Sequence, residues 1–495
     1  NIIQNSIYGV DIEKGAVDIA QLRFWLSLVV DEDKPKPLPN LAYKIVVGNS
    51  LVSKFGDEII EIDWEVEANT QFDMFGSELE NQKSWLLNEI SKKQKQFFSA
   101  SNKDKKKINK AIRKLKLDIL STQLELMIET KGVLLDNSKK RSKKQTEAWL
   151  ETEGWKRAIR EINTLKKNDK PFEHFDWKLD FPEILNPLVN ENAGFDIVIG
   201  NPPYGVSIKG DYRKAVLNTL NKVPDYEIYY FFIEKAYELV KVEGMLSYII
   251  PNTYLFNTFA SSYRIDLFDK WNLIEILDCT QFNIFQTATV RNTINTWRKG
   301  ISDKVGYRKT KGQESFNDLI RKERVLLPKT DLLEMNQNWG LAFMLSKNII
   351  DIVFRIKDNK DELQTHFEIS QGYIPYRRSD LIKQFGKLEG NKIVNERLWH
   401  SESKENEEYL PEIFGRELDK YGTINKIKKS FVKYGKHLAG FIDLKFFNQK
   451  RILVREITNP KIIASIISDI YVNDPQLISV IENGNALSLE FLWSI

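Results

Sequence analysis

Phe195-Asp196-Ile197-Val198-Ile199-Gly200-Asn201-Pro202-Pro203-Tyr204 is the stretch by which the rest of the chain can be ordered. Residues 195–199 read as an apolar strand. Two consecutive prolines fix the backbone and cannot continue a hydrogen-bond ladder, so the chain must leave the sheet at its edge. In an open α/β sheet that edge is where ligands bind. An amide side chain beside rigid backbone carbonyls gives fixed hydrogen-bond acceptors there, and Tyr204 offers a flat face for stacking.

Downstream, strands are expected at 244–250, 273–278 and 289–297, with helices at about 226–240 and 259–270. Upstream, 6–10 reads as a strand, 16–30 as an amphipathic helix and 44–47 as a strand, with Pro35 and Pro37 punctuating the link. Between these α/β parts, from about 71 to 167, the texture changes to Lys, Glu, Gln and Leu with almost no proline or glycine. Ile108, Ile112, Leu115 and Ile119 recur in steps of four and three and share one helix face. This predicts an inserted helical hairpin or small bundle, with 138–144 as an exposed loop. Beyond about 300 the pattern is mixed. The expected parts are 1–54 and 175–300 as two pieces of one sheet domain, 55–174 as a mostly helical insertion, and 301–495 as a mixed α+β domain.

A chain of 495 residues exceeds one average domain. Low mean hydropathy and the lack of a bilayer-length apolar run argue against a membrane protein. Asn1 opens onto strand-like sequence rather than a basic and then apolar leader, and so abruptly that sequence before it is expected. The lone Cys279 excludes a disulfide framework, and His174, His366, His400 and His437 show no metal-ligand spacing. The expectation is a cytoplasmic protein without a metal. A net charge of +4 is too small to prove a nucleic-acid partner. Basic clusters at 103–107, 113–116, 139–144 and 426–429 can follow a phosphate backbone or form solvated helix faces.

The amide–Pro–Pro–Tyr combination suits one kind of chemistry. The exocyclic amino group of adenine is a poor nucleophile because its lone pair is delocalised into the ring. Acceptors for both of its hydrogens favour a pyramidal nitrogen with the lone pair aimed at an incoming methyl group, without a strong general base. A base in a duplex must be flipped out to reach such a pocket.

At these residues the chain resembles the gamma-class amino methyltransferases of DNA, above all the long type IIG restriction–modification enzymes. The resemblance implies a Rossmann-like S-adenosylmethionine-dependent methyltransferase sheet, with the helical insertion, and a C-terminal target-recognition domain. It implies that Asn201 and the Pro202 carbonyl accept from the target amino group, that Pro203 rigidifies the loop, and that Tyr204 stacks on the base, with Phe285 as a second aromatic. Ile7-Tyr8-Gly9-Val10-Asp11-Ile12 resembles the family's second motif, which gives Asp11 and Ile12 to the cofactor's ribose end. Val47-Gly48-Asn49-Ser50-Leu51 resembles the third, with Asn49 and Ser50 at the cofactor's adenine and Asn49 standing where an Asp is common. His174-Phe175-Asp176-Trp177 through Phe181-Pro182-Glu183 is similar to the lead-in to the catalytic strand.

The family's glycine-rich first motif should lie upstream of Ile7, and nothing in the chain matches it. The cofactor site is therefore expected to be incomplete here. Segments around 369–376, 414–421 and 451–457 resemble parts of the target-recognition domain, which gives Arg377, Arg378, Arg416, Lys428, Lys429 and Lys433 as DNA contacts. The implied partner is double-stranded DNA and the implied activity N6-adenine methylation in a restriction–modification or phage-defence system. Two alternatives stand beside it: a DNA-recognition fragment without activity, and a methyltransferase acting on release-factor glutamine or RNA adenine. No nuclease-like carboxylate cluster is evident, and the sequence gives neither protein partners nor oligomeric state.

Overall fold

The computed structural model describes residues 6–30, 41–55, 58–66, 74–134, 142–170, 172–205, 208–219, 223–224, 227–285, 290–309, 314–358, 361–419, 430–456, 462–484 and 487–494. The chain forms two compact units, Asn1–Ser346 and Lys347–Ile495.

In the first unit, strand β1 (Gly9–Asp11) leads through helix α1 (Lys14–Val30) to β2 (Ile45–Val47). The two strands pair in parallel with Asp11 opposite Val47, which needs a crossover such as α1 supplies. β1 starts later than the expected 6–10, and Ser6 is helical. Lys44, just before β2, is buried and paired with Glu183 at 3.0 Å, and Tyr8 donates to the same carboxylate at 2.9 Å. These contacts tie the strand pair to the segment around residues 174–183.

A short hairpin, β3 (Lys54–Phe55) and β4 (Glu58–Ile59), precedes three long helices: α2 (Met74–Ser99), α3 (Asn102–Lys131) and α4 (Lys143–Lys166). Ser101 caps α3, and Ser142 with Gln145 forms a capping box on α4. Ile112 and Ile119 are buried, with Ile108 and Leu115 packed on the same core, as their spacing predicts. The core is not confined to the helices. Phe55, Ile60 and Leu179 belong to it, and Lys116 of α3 pairs with Asp180. Each fully buried Leu or Ile contributes about 1.5–3 kcal/mol, so the insertion and its flanks are stabilised as one piece. Arg113 donates to the carbonyls of Leu165 and Lys170, so the 113–116 cluster is partly used inside the protein. The 138–144 loop lies largely outside the described residues.

The main sheet contains β5 (Phe195–Gly200), β6 (Val240–Pro251), β7 (Trp271–Asp278), β8 (Asn292–Lys299), β9 (Lys304–Lys309) and β10 (Val325–Pro328), in the order β10-β9-β7-β8-β6-β5. β5 and β6 run parallel, and β8 runs antiparallel between β6 and β7. Helix α5 (Tyr229–Leu239) packs on β5 and β6, and α6 (Ser261–Lys270) on β7. Composition puts a boundary near 300, but β9 and β10 extend this sheet, and the second unit begins at Lys347. Among the described residues β5 pairs only with β6, and its Ile197 and Ile199 are 62% and 76% exposed.

The second unit has two four-stranded sheets. One is β11 (Phe367–Gln371), β18 (Leu477–Glu482), β15 (Arg451–Arg455) and β16 (Ala464–Ile467). The other is β12 (His400–Ser401), β14 (Phe431–Lys433), β13 (Tyr409–Ile413) and β17 (Val472–Asn473). Helix α7 (Arg378–Asn395) is kinked at Gly386, where φ is 81°. Among the described residues no helix is long and apolar enough to cross a membrane, and no group of three His, Cys, Asp or Glu is placed to hold a metal.

Candidate active site

Asn201 leaves the sheet directly after β5. Gly200 lies opposite Tyr248, and a Cβ at Gly200 would sit 3.0 Å from the Tyr248 ring. Glycine thus lets the strand end lie close against β6. At the far end of the loop Gly205 adopts φ 71°, in the left-handed region, and its N–H donates to Glu227 at 2.9 Å. Between these two fixed points Pro202 is buried while Asn201 and Pro203 are exposed. The Asn201 side chain has no hydrogen-bond partner among the described residues. The Tyr204 ring lies 6.2 Å from that of Phe285, at 53° between planes. The loop therefore presents a free amide next to a pair of aromatic rings 81 residues apart in sequence.

Asp11 ends β1 and Asn49 lies two residues beyond the end of its parallel neighbour β2, and the Gly48 N–H donates to the Asp11 carbonyl at 2.9 Å. Asp11 is exposed; one carboxylate oxygen accepts from the Glu13 N–H at 2.8 Å, which leaves the other free. Ile12 is 65% exposed beside it. Asn49 turns its side-chain oxygen back onto its own loop. Its Oδ1 accepts from the Leu51 and Val52 N–H groups at 2.9 and 3.3 Å, so both lone pairs are used. What Asn49 offers outward is its amino group, a donor, with Tyr212 beside it. Burial raises the Tyr212 phenol pKa, and the Asn49 hydrogen bond offsets this. The Ser50 carbonyl accepts from the Trp177 indole at 3.0 Å.

The lead-in segment acts as the scaffold of this region. Phe175 packs under Gly48 so closely that a Cβ there would meet its ring at 2.3 Å. Asp176 caps the short helix Trp177–Asp180 through the N–H groups of Lys178 and Leu179. Burial lowers the pKa of His174, against the opposing charge of Asp176.

The second-unit candidates divide by their partners. Arg377 pairs with Asp380 at 3.3 Å, and Lys433 with Glu408 at 3.2 Å. Arg378 donates to Asn391 and Asn395, bracing α7 across its kink. Arg416 has no hydrogen bond or ion pair among the described residues, and its guanidinium lies 5.4 Å from the Phe414 ring. Lys428 and Lys429 fall outside the described residues. Sequence reading missed Arg397, which shares a pocket with Arg416. No local pattern marks it, though its backbone is left-handed at φ 51°.

Residues 5–285, from the first strand through the Tyr204–Phe285 pair, match the family described as the Eco57I restriction-modification methylase. The chain belongs to this family. The relative RM.MjaORFECS2P of Methanocaldococcus jannaschii is 28% identical over 513 residues, covering 92% of this chain and 38% of its own length. RM.Eco57I of Escherichia coli, a type II restriction enzyme and methyltransferase, is 22% identical over 36% of this chain and 18% of its own. The chain thus spans less than two-fifths of either relative. Among solved structures, the type IIL restriction–modification enzyme MmeI in complex with DNA aligns over 83% of this chain and 62% of that one, with 12% identity and a TM-score of 0.36.

Proposed function

We propose that this chain carries the adenine-binding and DNA-reading parts of a site-specific N6-adenine DNA methyltransferase that uses S-adenosylmethionine in a restriction–modification system. The observation that carries the reading is the free, exposed Asn201 amide on a loop fixed at both ends, beside the Tyr204–Phe285 ring pair. A flipped adenine stacks on Tyr204, with Phe285 on its other side or edge. The Asn201 oxygen and the Pro202 carbonyl accept its two amino hydrogens and direct the nitrogen lone pair outward. Because the loop is already fixed, this acceptor pair costs no reorganisation during transfer.

S-adenosylmethionine, when bound, supplies the electrophilic methyl group. On this chain the free oxygen of Asp11 suits a ribose hydroxyl, Ile12 gives an apolar surface, and the Asn49 amino group suits a ring-nitrogen acceptor, with Ser50 adjoining it. Membership of the Eco57I family supports methyl transfer to DNA. A methyltransferase of this kind works in the cytoplasm, where its DNA is.

The test is methyl transfer from labelled S-adenosylmethionine to unmethylated DNA by the protein made from its complete coding sequence. N6-methyladenine from the parent and not from Asn201→Ala supports the reading. Transfer to RNA or a release factor, with none to DNA, refutes it.

A further inference from the structure

A cavity of about 330 Å³ opens in the second unit, lined by Arg397, Phe414, Arg416, Ser430, Asp474 and Gln476. Arg397 and Arg416 both line it, and neither side chain has a hydrogen bond or ion pair among the described residues. A carboxylate stands in the same wall. Asp474 Oδ1 is buried without a hydrogen-bond partner among the described residues, although Arg397 and Arg416 line the same space. Burial, with Glu412 and Glu417, raises the Asp474 pKa to about 6, against the backbone hydrogen bonds from Gln476 and Gly415 that lower it.

The walls are preformed. The Asp474 N–H donates to the Ile413 carbonyl, Gln476 and Glu456 are joined through their backbones, and Glu417 accepts from the Phe414 N–H at 3.0 Å. Gly415 allows a close approach in which a Cβ would meet Gln476 at 2.9 Å. Ser430 donates to Glu412 at 2.9 Å, leaving its lone pairs for the cavity. The left-handed backbone of Arg397 is an uncommon conformation for a side-chain-bearing residue, and such conformations cluster at binding sites.

The geometry points to a pocket that reads the major-groove edge of a G·C pair, and this rests on the DNA reading given above. Guanine presents two adjacent acceptors, N7 and O6, which an arginine fork matches; cytosine presents an N4 amino donor, which a carboxylate accepts. The two arginines and the Asp474 carboxylate, which line one cavity, supply that pattern together. A phosphate site needs donors alone, and Asp474 with Glu412 and Glu417 behind it disfavours an anion. An A·T pair presents no two adjacent acceptors on one base for an arginine fork.

The experiment uses the protein from its complete coding sequence, with Arg397→Ala, Arg416→Ala and Asp474→Ala variants. Methylated sites in genomic DNA are mapped by sequencing, and selection from random duplexes reads binding independently of catalysis. The expected result is a preferred site containing a G·C pair at which all three variants lose roughly 10- to 100-fold discrimination, other positions being kept. An unchanged preference in all three variants overturns the pocket alone. So does weakening that is uniform across sequences with a shallower salt dependence, which marks a phosphate contact. Neither methylation nor sequence-selective binding by the parent overturns the DNA reading, and this inference with it.

Discussion

Glu183 is the residue whose replacement tests most sharply how the β1–β2 pair is held. Its carboxylate receives Lys44 and Tyr8, and the two charged side chains are 8% and 16% exposed. That degree of burial removes the pair from the class of surface salt bridges, where the contribution is about 0–1 kcal/mol. Burial alone lowers the Lys44 pKa, and Glu183 is the main influence opposing it. Replacing Glu183 with Gln leaves a buried ammonium with no counter-charge, and breaking a buried pair in this way costs about 3–5 kcal/mol. Because the ties run between the strand pair and the lead-in, the loss should appear as local opening of 9–11 and 45–47 rather than global unfolding. Three kcal/mol corresponds to about a 100-fold faster amide exchange there. Hydrogen–deuterium exchange resolved by peptide reads it directly. A Lys44→Met, Glu183→Leu double variant should recover most of the protection, since two apolar groups leave no unpaired charge. Less than a fivefold change in the single variant, or a double variant no better protected than it, would refute the reasoning.

Three further outcomes follow from the geometry. Asn201→Ala should lower the transfer rate by about 10²–10³ while leaving the fold intact, measured as single-turnover methylation beside a thermal melt. Tyr204→Ala should instead weaken capture of the flipped base by about 1–3 kcal/mol, read from 2-aminopurine fluorescence at the target position. Asp474→Asn bears on pH. A carboxylate raised to about 6 in the fold binds its proton more tightly there than unfolded, so stability falls as pH rises from about 4 to about 6 and then levels. The Asn variant should resist urea better at pH 7.5, by about 1 kcal/mol after allowing for solvent screening, with the difference gone below pH 4.

The parts of the fold that could be read beforehand are those coded locally. The β5 run and the Pro–Pro exit carry their instructions within ten residues, and the Ile108–Ile119 spacing needs only one helix to be meaningful. β9 and β10 are not legible in the sequence as part of the sheet, because short strands joined by a polar segment show no period long enough to separate them from mixed loops. Only their pairing with β7 and each other makes them part of the sheet. Asn49 shows a different limit. Its residue type leaves open which end of the amide faces outward, since that depends on where the Leu51 and Val52 N–H groups point. Arg397 had no legible signal, since the neighbours that make it one wall of a cavity lie as far away as Asp474 and Gln476.

The shared core of the three long helices bears on how such proteins can be rearranged by recombination. A segment that is an insertion in sequence is commonly treated as a cassette to be lost, exchanged or fused at its ends. Here excision of 74–166 would leave Phe55, Ile60 and Leu179 without cover and Asp180 without Lys116, within twenty residues of β5. Viable exchanges should therefore carry the hairpin at 54–59 and the 172–185 lead-in along with the helices, so that the unit of inheritance is wider than the unit visible in composition.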